Sequence, residues 1–460
     1  MKIPFFTKYK AHAKTNGEGA DIAESLCYAP SVNMLFGTDG TVRACCHNNE
    51  NILGRYPEKS IKDIWNSEEA KRFRQEMANQ NFLSGCQGCA RDYASGNIDQ
   101  MPARHFKQLP RHHEYPTMME FLLTNTCNLE CAMCTGELSS LIRKNRDKLP
   151  AINSPYGDEF VDQLQEFIPH LVETRFSGAG EAFAIDLNYK FWEMLIANNP
   201  ACKIVVQTNG TILNAKVRDF LDRGNFNIGI SIDSLEKEKF ETIRLNASFD
   251  QVMKNTQYFS DYSSKHNRNF TISCCVMRNN WMEMPAIVEF CNRMGAYVTF
   301  HKVWSPMKYA INRLSAQELE NIYTTLSRYE CSSNNTLEKG NKKHYEYYLS
   351  VIKQWMIEAQ HGKLAAEDLV MLSYSELSEL AKERLKTYIS GQRMLEVDKE
   401  ELIRQCEDKI DGVIQLWGEK IGKANMLIKL CLAKESDMVG AMKTQSIEKL
   451  YEMSVATADS

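Results

Sequence analysis

The sequence predicts an α/β fold with a small cysteine-rich unit before it and a helical extension after it. Short β-rich runs alternate with helical patterns over residues 117–310, whereas residues 311–460 are charged, glycine-poor and helical in their periodicity. Alternation of this kind is typical of a parallel sheet with right-handed helical crossovers. Six strands with helices between them indicate an incomplete β/α barrel or a wound sheet, with its active site at the carboxyl ends of the strands.

Each predicted strand is a short run rich in β-branched or aromatic residues. The six are Met119–Thr124, Val172–Ser177, Lys203–Gln207, Asn227–Ile232, Phe270–Val276 and Tyr297–His301. Apolar residues at helical spacing predict helices between them, at Asp158–Pro169, Tyr189–Asn198, Ala215–Arg223, Phe249–Tyr262 and Met284–Met294. The same spacing in the extension, residues 311–460, predicts four more helices, at Ala316–Tyr329, His344–Ala359, Tyr374–Ser390 and Lys399–Trp417.

The chain before residue 117 divides into two parts. Residues 1–20 are polar and predicted to be flexible, and residues 21–116 form a cysteine-bearing unit with its linker. The apolar run Val32–Phe36, a turn at residues 37–40 and the run Thr41–Arg43 predict a hairpin. A helix is predicted from Ser60 onwards.

Charge and hydropathy exclude several classes of protein. The 55 basic and 59 acidic side chains give a net charge of −4, which argues against a general electrostatic grip on nucleic acid or anionic lipid. The first residues lack the apolar stretch of a signal peptide, and no run of 18 apolar residues predicts a membrane span. We therefore expect a cytoplasmic protein without a membrane or nucleic-acid partner.

Because cytosolic thiols are kept reduced, the 15 cysteines need an explanation other than disulfides. Eight of them fall in two places, residues 27–89 and residues 127–134. The other seven lack ligand spacing and are predicted to be small buried apolar residues.

The second group has the spacing C-x3-C-x2-C, with Cys127, Cys131 and Cys134 directly after the first predicted strand. Three thiolates on one loop can each bind one iron of a cubane, which leaves the fourth iron open for chemistry. A zinc site would need a fourth ligand, and no Cys or His follows nearby. This loop resembles the cluster-binding loop of the radical S-adenosylmethionine (SAM) superfamily, which implies a partial (β/α)6 barrel, a [4Fe–4S] cluster and SAM.

The resemblance extends to residues at the ends of the next strands. Gly178, Gly180 and Glu181 resemble the Gly-Gly-Glu-Pro motif that engages the methionine ammonium of SAM, although Ala179 and Ala182 depart from it. The resemblance also implies three further SAM-binding residues: Asn209, which orders the cofactor region, Ser231 near the ribose, and Arg244 for the methionine carboxylate. The structural alternatives are a strand–helix turn, an Asn-Gly turn and a surface salt bridge. No catalytic residue is assigned.

The first group of cysteines resembles a SPASM/Twitch auxiliary-cluster domain placed before the core rather than after it. That resemblance implies one closed [4Fe–4S] cluster held by Cys27, Cys45, Cys86 and Cys89, with Cys45 favoured over Cys46 by the Gly-x-Val-x-x-Cys pattern. The alternative is a zinc site with four cysteine ligands, since C-x2-C is common in such sites.

The resemblance implies an enzyme that cleaves SAM reductively to a 5′-deoxyadenosyl radical and abstracts hydrogen from an unidentified substrate. Relatives act on peptides, proteins or small molecules such as sugar derivatives. Since 26 residues precede Cys27, we expect no peptide-leader-binding domain there, which makes a peptide substrate less expected without excluding it. A reductant such as flavodoxin or ferredoxin is an expected partner. The alternative is a non-enzymatic iron–sulfur electron carrier or scaffold, which would not need a methionine-binding turn.

Overall fold

The computed structural model describes residues 25, 27–48, 50–79, 85, 86, 89, 101, 103–112, 114–303, 306–360, 374–392, 396–417, 435–447 and 450. The flexible segment predicted for residues 1–20 lies outside these residues. Among the described residues, those of Ala11–Gln354 form one compact unit and those of Trp355–Ser460 form another. The domain boundaries expected after residues 116 and 310 stay predictions.

The strands are, in chain order, β1 Asn33–Phe36, β2 Thr41–Arg43, β3 Ile52–Arg55, β4 Met118–Phe121, β5 Glu130–Cys131, β6 Glu173–Phe176, β7 Lys203–Thr208, β8 Phe226–Ser231, β9 Arg244–Leu245, β10 Phe270–Val276 and β11 Tyr297–Lys302. All six strands predicted for the core are present within a few residues of their expected bounds. Among the described residues, nine strands form one sheet in the order β11-β10-β8-β7-β6-β4-β1-β2-β3.

The helices of the first unit are α1 Ala29–Val32, α2 Ile61–Trp65, α3 Glu68–Ala78, α4 Ala103–Lys107, α5 Ser140–Asn145, α6 Asp158–Leu164, α7 Asp186–Asn198, α8 Ala215–Arg223, α9 Lys237–Ile243, α10 Phe249–Lys265, α11 Met284–Arg293 and α12 Ala316–Leu326. Helix α13, Thr336–Gln360, begins in this unit and ends in the other. Short 3₁₀ helices lie at Ile168–His170, Ala182–Ala184, Trp281–Glu283, Met307–Tyr309 and Ile311–Arg313.

The second unit is helical, as the sequence predicts. Its further helices are α14 Tyr374–Ser390, α15 Glu396–Trp417 and α16 Glu435–Thr444. An apolar core that includes Leu385, Cys406 and Met442 holds these three helices together. Cys406 is buried there, as expected of a cysteine without ligand spacing.

The order of the parallel strands decides between the two predicted architectures. Strands β4, β6, β7, β8, β10 and β11 are neighbours in chain order, and every pair is parallel. A doubly wound sheet would reverse its order at a switch point. The sequential order is therefore that of an open β/α barrel.

One face of this sheet is covered by helices. Phe121 packs on Phe191 at a ring distance of 5.0 Å, and Phe176 packs on Trp192 at 5.1 Å, so alternate side chains of β4 and β6 meet helix α7. Because strand side chains alternate, the residues between them point the other way. We call that side the polar face, after the side chains that the strand registers place on it: Glu120, Arg175, Gln207, Ser231 and Ser273.

The amino-terminal hairpin is not separate from the core sheet. Strand β1 pairs with β4 in parallel, with Asn33 opposite Met118 and Phe36 opposite Phe121, and it pairs with β2 in antiparallel. The sequence predicts the hairpin but not this pairing. The run Val32–Phe36 is apolar apart from Asn33, which is close to the pattern of a strand buried on both faces, and it could have indicated an interior position.

Candidate functional site

The loop that carries Cys127, Cys131 and Cys134 follows β4 and is held from two sides. Strand β5 places Cys131 opposite Arg244 of β9, and the Ala132 N–H donates to the carbonyl oxygen of Ile243 at 2.7 Å. The Ser139 hydroxyl donates to the carbonyl oxygen of Leu129 at 2.7 Å. The sequence thus brings the three thiols together on one pinned loop.

The environment of the three thiols suits a soft-ligand metal site. Burial raises the pKa of Cys127 and of Cys134, and it raises the pKa of Cys131 to about 12, where the charges of Cys134 and Cys127 add to the effect while Arg244 opposes it. The thiols are therefore protonated at neutral pH, and a metal bound to them would have to displace those protons. Mutual electrostatic influence shows that the three sulfurs lie near one another, as a cubane requires.

Among the residues that the structure describes, no three His, Cys, Asp or Glu side chains are gathered closely enough to hold a single metal ion. The thiolates of a cubane bind different irons, so these ligands need not converge on one point.

The Gly178–Glu181 turn after β6 lies directly against this loop. Gly178 and Gly180 have φ angles of 99° and 66°, which side chains rarely adopt. A Cβ atom on Gly180 would stand 2.7 Å from the carbonyl oxygens of Thr124 and Thr126. The Glu181 N–H donates to the Thr126 carbonyl at 2.7 Å, so the glycines permit a close backbone approach.

The Glu181 carboxylate is directed into the protein and is 1% exposed. It accepts hydrogen bonds from the Thr208 hydroxyl and the Asn209 N–H, both at 2.7 Å, and from the Phe183 N–H at 3.2 Å. Burial raises the pKa of Glu181, and these three donors oppose that shift. The carboxylate therefore ties the end of β6 to the end of β7.

Asn209 connects the end of β7 to the cluster loop. Its Nδ2 donates to Oδ1 of Asn128 at 2.9 Å, and its Oδ1 accepts from the N–H and the hydroxyl of Thr211. Asn128 stands next to Cys127, so this hydrogen bond joins the end of β7 to the loop, and the role of Asn209 toward SAM stays a prediction. The Asn-Gly turn is also present, since Gly210 has a φ of 76°.

Ser231 lies on the polar face at the end of β8. Its hydroxyl accepts a hydrogen bond from Nε2 of Gln207 at 2.8 Å, and Ser273 of β10 is its register partner. The structure thus adds Gln207 and Ser273 to a polar row that the sequence had indicated only at Ser231.

Arg244 is buried at 5% exposure rather than lying on a helix surface. Its Nη2 pairs with Oδ2 of Asp233 at 2.8 Å, and its Nη1 lies 3.8 Å from Sγ of Cys131. Within the described part of the chain, its Nε has no hydrogen-bond partner. Asp233, fully buried, also accepts from the Cys275 N–H at 2.7 Å. Sequence reasoning did not assign Asp233, although a carboxylate directly after a buried strand was a usable signal.

The amino-terminal cysteines come together from separate segments. Burial raises the pKa of Cys27 to about 12, and the nearby charges of Cys89 and Cys86 raise it further. Burial also raises the pKa of Cys45, with a contribution from Cys27. Nδ2 of Asn48 donates to Sγ of Cys86 at 3.1 Å. The four thiols predicted for the auxiliary site therefore share one neighbourhood.

Cys46 faces different groups from Cys45. Cys46 is more exposed than Cys45, although enough protein surrounds its sulfur for desolvation to raise its pKa to about 11. The charge of Glu120 also raises this pKa, and the charge of Arg175 lowers it. Glu120 and Arg175 belong to the polar face. The geometry thus separates two adjacent cysteines, with Cys45 beside the other thiols and Cys46 beside the sheet.

Arg74 fastens the helices around this site. Its guanidinium lies 4.0 Å from the ring centre of Trp65 and donates to the carbonyl oxygens of Pro30 and Trp65. Helix α3 is thereby joined to α1, which follows Cys27, and to α2.

Two family models match the chain over the regions just described. The radical SAM superfamily matches residues 121–291, and the SPASM iron–sulfur cluster-binding domain matches residues 27–90. The chain therefore belongs to the radical SAM superfamily of enzymes, with its SPASM domain ahead of the radical SAM domain. Its cofactors are [4Fe–4S] clusters and SAM.

Individual relatives are distant. The chain is 23% identical over 319 residues to molybdenum cofactor biosynthesis protein 1 of Dictyostelium discoideum, covering 65% of this chain and 48% of the relative. It is 31% identical over 137 residues to a probable GTP 3′,8-cyclase of Methanocella arvoryzae, covering 28% and 39%. The solved structure of anSMEcpe with bound AdoMet has a TM-score of 0.35 and 18% identity, covering 45% of this chain and 58% of that one. The chain thus matches about half or less of the length of these two curated relatives.

No helix among the described residues has the length and apolar character needed to cross a membrane.

Proposed function

We propose that the protein uses Cys127, Cys131 and Cys134 to hold the [4Fe–4S] cluster at which SAM is cleaved, and that it abstracts hydrogen from a substrate. The loop carrying these thiols is hydrogen-bonded on one side to the Gly178–Glu181 turn and on the other to β9, and this arrangement is the observation that supports the proposal. When bound, the cluster supplies the electron that cleaves SAM to a 5′-deoxyadenosyl radical.

The residues around the loop have distinct proposed roles toward SAM. Gly178 and Gly180 admit its methionine ammonium close to the backbone, and Glu181 holds that turn in place. Arg244 is proposed to bind the methionine carboxylate, because Asp233 pairs with its Nη2 while its Nε has no hydrogen-bond partner among the described residues. Asn209 orders the loop, and Ser231 lies where the ribose would reach the polar face.

Cys27, Cys45, Cys86 and Cys89 are proposed to hold an auxiliary [4Fe–4S] cluster that transfers electrons. Four protein thiolates leave no iron open for substrate, which favours this role over direct binding. Reducing equivalents would come from a flavodoxin or a ferredoxin.

The proposed substrate is a peptide, a protein or a small molecule such as a sugar derivative. Polar side chains line the sheet face that leads away from the SAM site, namely Gln207, Ser231 and Ser273. They suit a substrate rich in hydroxyl or amide groups. GTP belongs among the first compounds to test, since one relative carries the name of a GTP 3′,8-cyclase.

The proposal is tested by reconstituting the clusters anaerobically, adding dithionite and SAM, and measuring 5′-deoxyadenosine by chromatography and mass spectrometry. Wild-type protein should form it and the Cys131→Ala variant should not. A fully iron-loaded wild type that forms none would instead support a non-enzymatic electron carrier or scaffold.

A further inference from the structure

The two cysteine sites lie at opposite ends of the sheet. Cys127 follows β4, at the carboxyl end of the parallel strands. Cys27 precedes β1, which is parallel to β4, and Cys45 follows β2, which is antiparallel to β1. Both of these cysteines therefore lie at the amino end, and the polar face spans the distance between the two sites.

The buried side chain of Asn33 joins this face to the backbone beside Cys45. Nδ2 of Asn33, a fully buried residue, donates to Oε1 of Glu120 at 2.6 Å and to the carbonyl oxygen of Ala44 at 2.9 Å. Ala44 immediately precedes Cys45. The carboxyl of Glu120 is thus one hydrogen-bonded residue away from the backbone that presents a proposed cluster ligand.

Glu120 differs from the other buried carboxylate on this side of the sheet. Glu173 is paired with Arg175 at 2.6 Å, with His105 at 3.1 Å and with Lys203 at 3.4 Å. Although burial opposes it, these partners lower the pKa of Glu173 to about 2. Glu173 is therefore ionised at neutral pH.

Glu120 forms no ion pair with any described residue, and it is 7% exposed. Burial raises its pKa, and the charge of Arg175 and the hydrogen bond from Asn33 lower it only in part. A carboxyl in this condition takes up a proton when negative charge arrives within a few ångströms, because a low-dielectric interior strengthens the repulsion.

We propose that Glu120 is the proton acceptor coupled to the auxiliary cluster, taking up one proton when that cluster takes up one electron. This inference rests on the proposed electron-transfer role of Cys27, Cys45, Cys86 and Cys89. The electron comes from the reductant that reduces the cluster and the proton from solvent, so the reduction leaves the net charge of the site unchanged.

Other charged or titratable groups face Glu120, and the experiment must distinguish their protonation from that of Glu120. They come from β2 and its following turn, from α4 and from β6, and they are Arg43, Cys46, His105, Glu173 and Arg175. Arginine stays protonated throughout. His105 is therefore the principal rival acceptor.

The test is the pH dependence of the auxiliary cluster's midpoint potential, measured by a redox titration followed by electron paramagnetic resonance. A Cys127→Ala/Cys131→Ala/Cys134→Ala background removes the second cluster and every contribution from SAM cleavage. The potential should fall with rising pH by a tenfold change in equilibrium constant per pH unit, about 59 mV for one electron. The potential should become independent of pH below the pKa that Glu120 has when the cluster is oxidised. It should also become independent of pH above the pKa that Glu120 has when the cluster is reduced.

Three variants identify the residue that causes the pH dependence of the midpoint potential. Glu120→Gln should make the potential independent of pH, whereas Glu173→Gln and His105→Asn should leave the slope in place. A flat profile in the background protein would overturn the proposal. So would a slope that survives Glu120→Gln, or one that disappears in His105→Asn.

Infrared difference spectroscopy of the background protein supplies a second readout if Glu120→Gln does not retain its cluster. Reduction should produce the carbonyl band of a protonated carboxylic acid, and the absence of that band would refute the assignment. Neither readout involves SAM cleavage, so a protein that makes no 5′-deoxyadenosine could still pass both.

Discussion

The two cysteine sites of this protein are built in opposite ways. The site at the carboxyl end of the sheet takes its three thiols from one loop of eight residues, and hydrogen bonds to neighbouring strand ends hold that loop. The site at the amino end takes four thiols from segments separated by up to 62 residues, from Cys27 to Cys89. The first is a local motif that the fold orients, and the second exists only because the fold assembles it.

This contrast also extends to the charges around the two sites. At the carboxyl end, the nearby cation, Arg244, is paired with Asp233 beside Cys131. At the amino end, Glu120 stands without an ion-pair partner among the described residues. One site thus has a buried ion pair beside a cysteine sulfur, and near the other a buried carboxyl is held by a hydrogen bond from Asn33.

The largest expected effect tests whether the two sites are independent. Cys131→Ala should abolish 5′-deoxyadenosine formation while lowering iron content only by about half, if both clusters are cubanes. Iron analysis and product measurement check this, with Cys202→Ala, a buried thiol away from both sites, as the control. Loss of all iron in Cys131→Ala would show that the two sites do not load separately.

The next largest effect tests which of the amino-terminal cysteines bind the auxiliary cluster. Cys45→Ala should lower total iron by about half, as should Cys86→Ala, because each removes one of four ligands. The neighbouring Cys46→Ala should keep its iron, since that thiol faces Glu120 and Arg175 instead. Iron analysis with Mössbauer spectroscopy checks this; a reversed result for the two adjacent cysteines would make Cys46 the ligand.

A stability measurement tests the carboxylates near the amino end. The folded-state pKa of Glu173 is lowered from 4.5 to about 2, so its ion pairs contribute about 3 kcal/mol above pH 4.5. That contribution should decline as pH falls from 4.5 toward 2. Glu173→Gln should lower the free energy of unfolding by this amount at pH 7, in denaturant titrations.

The control for this measurement is Glu193→Gln, which removes an exposed pair with Arg223. It should cost no more than about 1 kcal/mol. Equal losses in the two variants would contradict the ranking of buried over exposed pairs.

The smallest expected effect concerns the backbone of the carboxyl-end site. Gly180→Ala should lower the free energy of unfolding by about 1–3 kcal/mol, because its φ is positive and a Cβ would meet two carbonyl oxygens of the cluster loop. Cleavage of SAM should fall as the loop is displaced. Gly157→Ala, where a Cβ has nothing within 4 Å, should change neither quantity appreciably.

Much of the fold could be predicted from local patterns. Strand β10 has the predicted bounds Phe270–Val276, and α14 has the predicted bounds Tyr374–Ser390, because periodicity at 2 and 3.6 residues reports burial directly. The pairing of β1 with β4 could not be predicted this way. The spacing of apolar residues along the chain does not report which distant strands pair. The burial of every residue in β1 is consistent with an interior strand but does not identify its neighbour.

The sequence by itself indicated the cofactors of this protein: the C-x3-C-x2-C spacing, the glycine turn and the amino-terminal cysteines resemble the motifs of cluster-binding domains, and soft sulfur ligands suit iron–sulfur clusters. Tertiary structure alone decided where charges go. Arg244 pairs with Asp233, Glu181 accepts hydrogen bonds from Thr208 and Asn209, and Asn33 joins Glu120 to the carbonyl oxygen of Ala44. Each of these contacts joins separate strands or loops, and the energy of a buried charge depends on partners that only the folded sheet brings within reach.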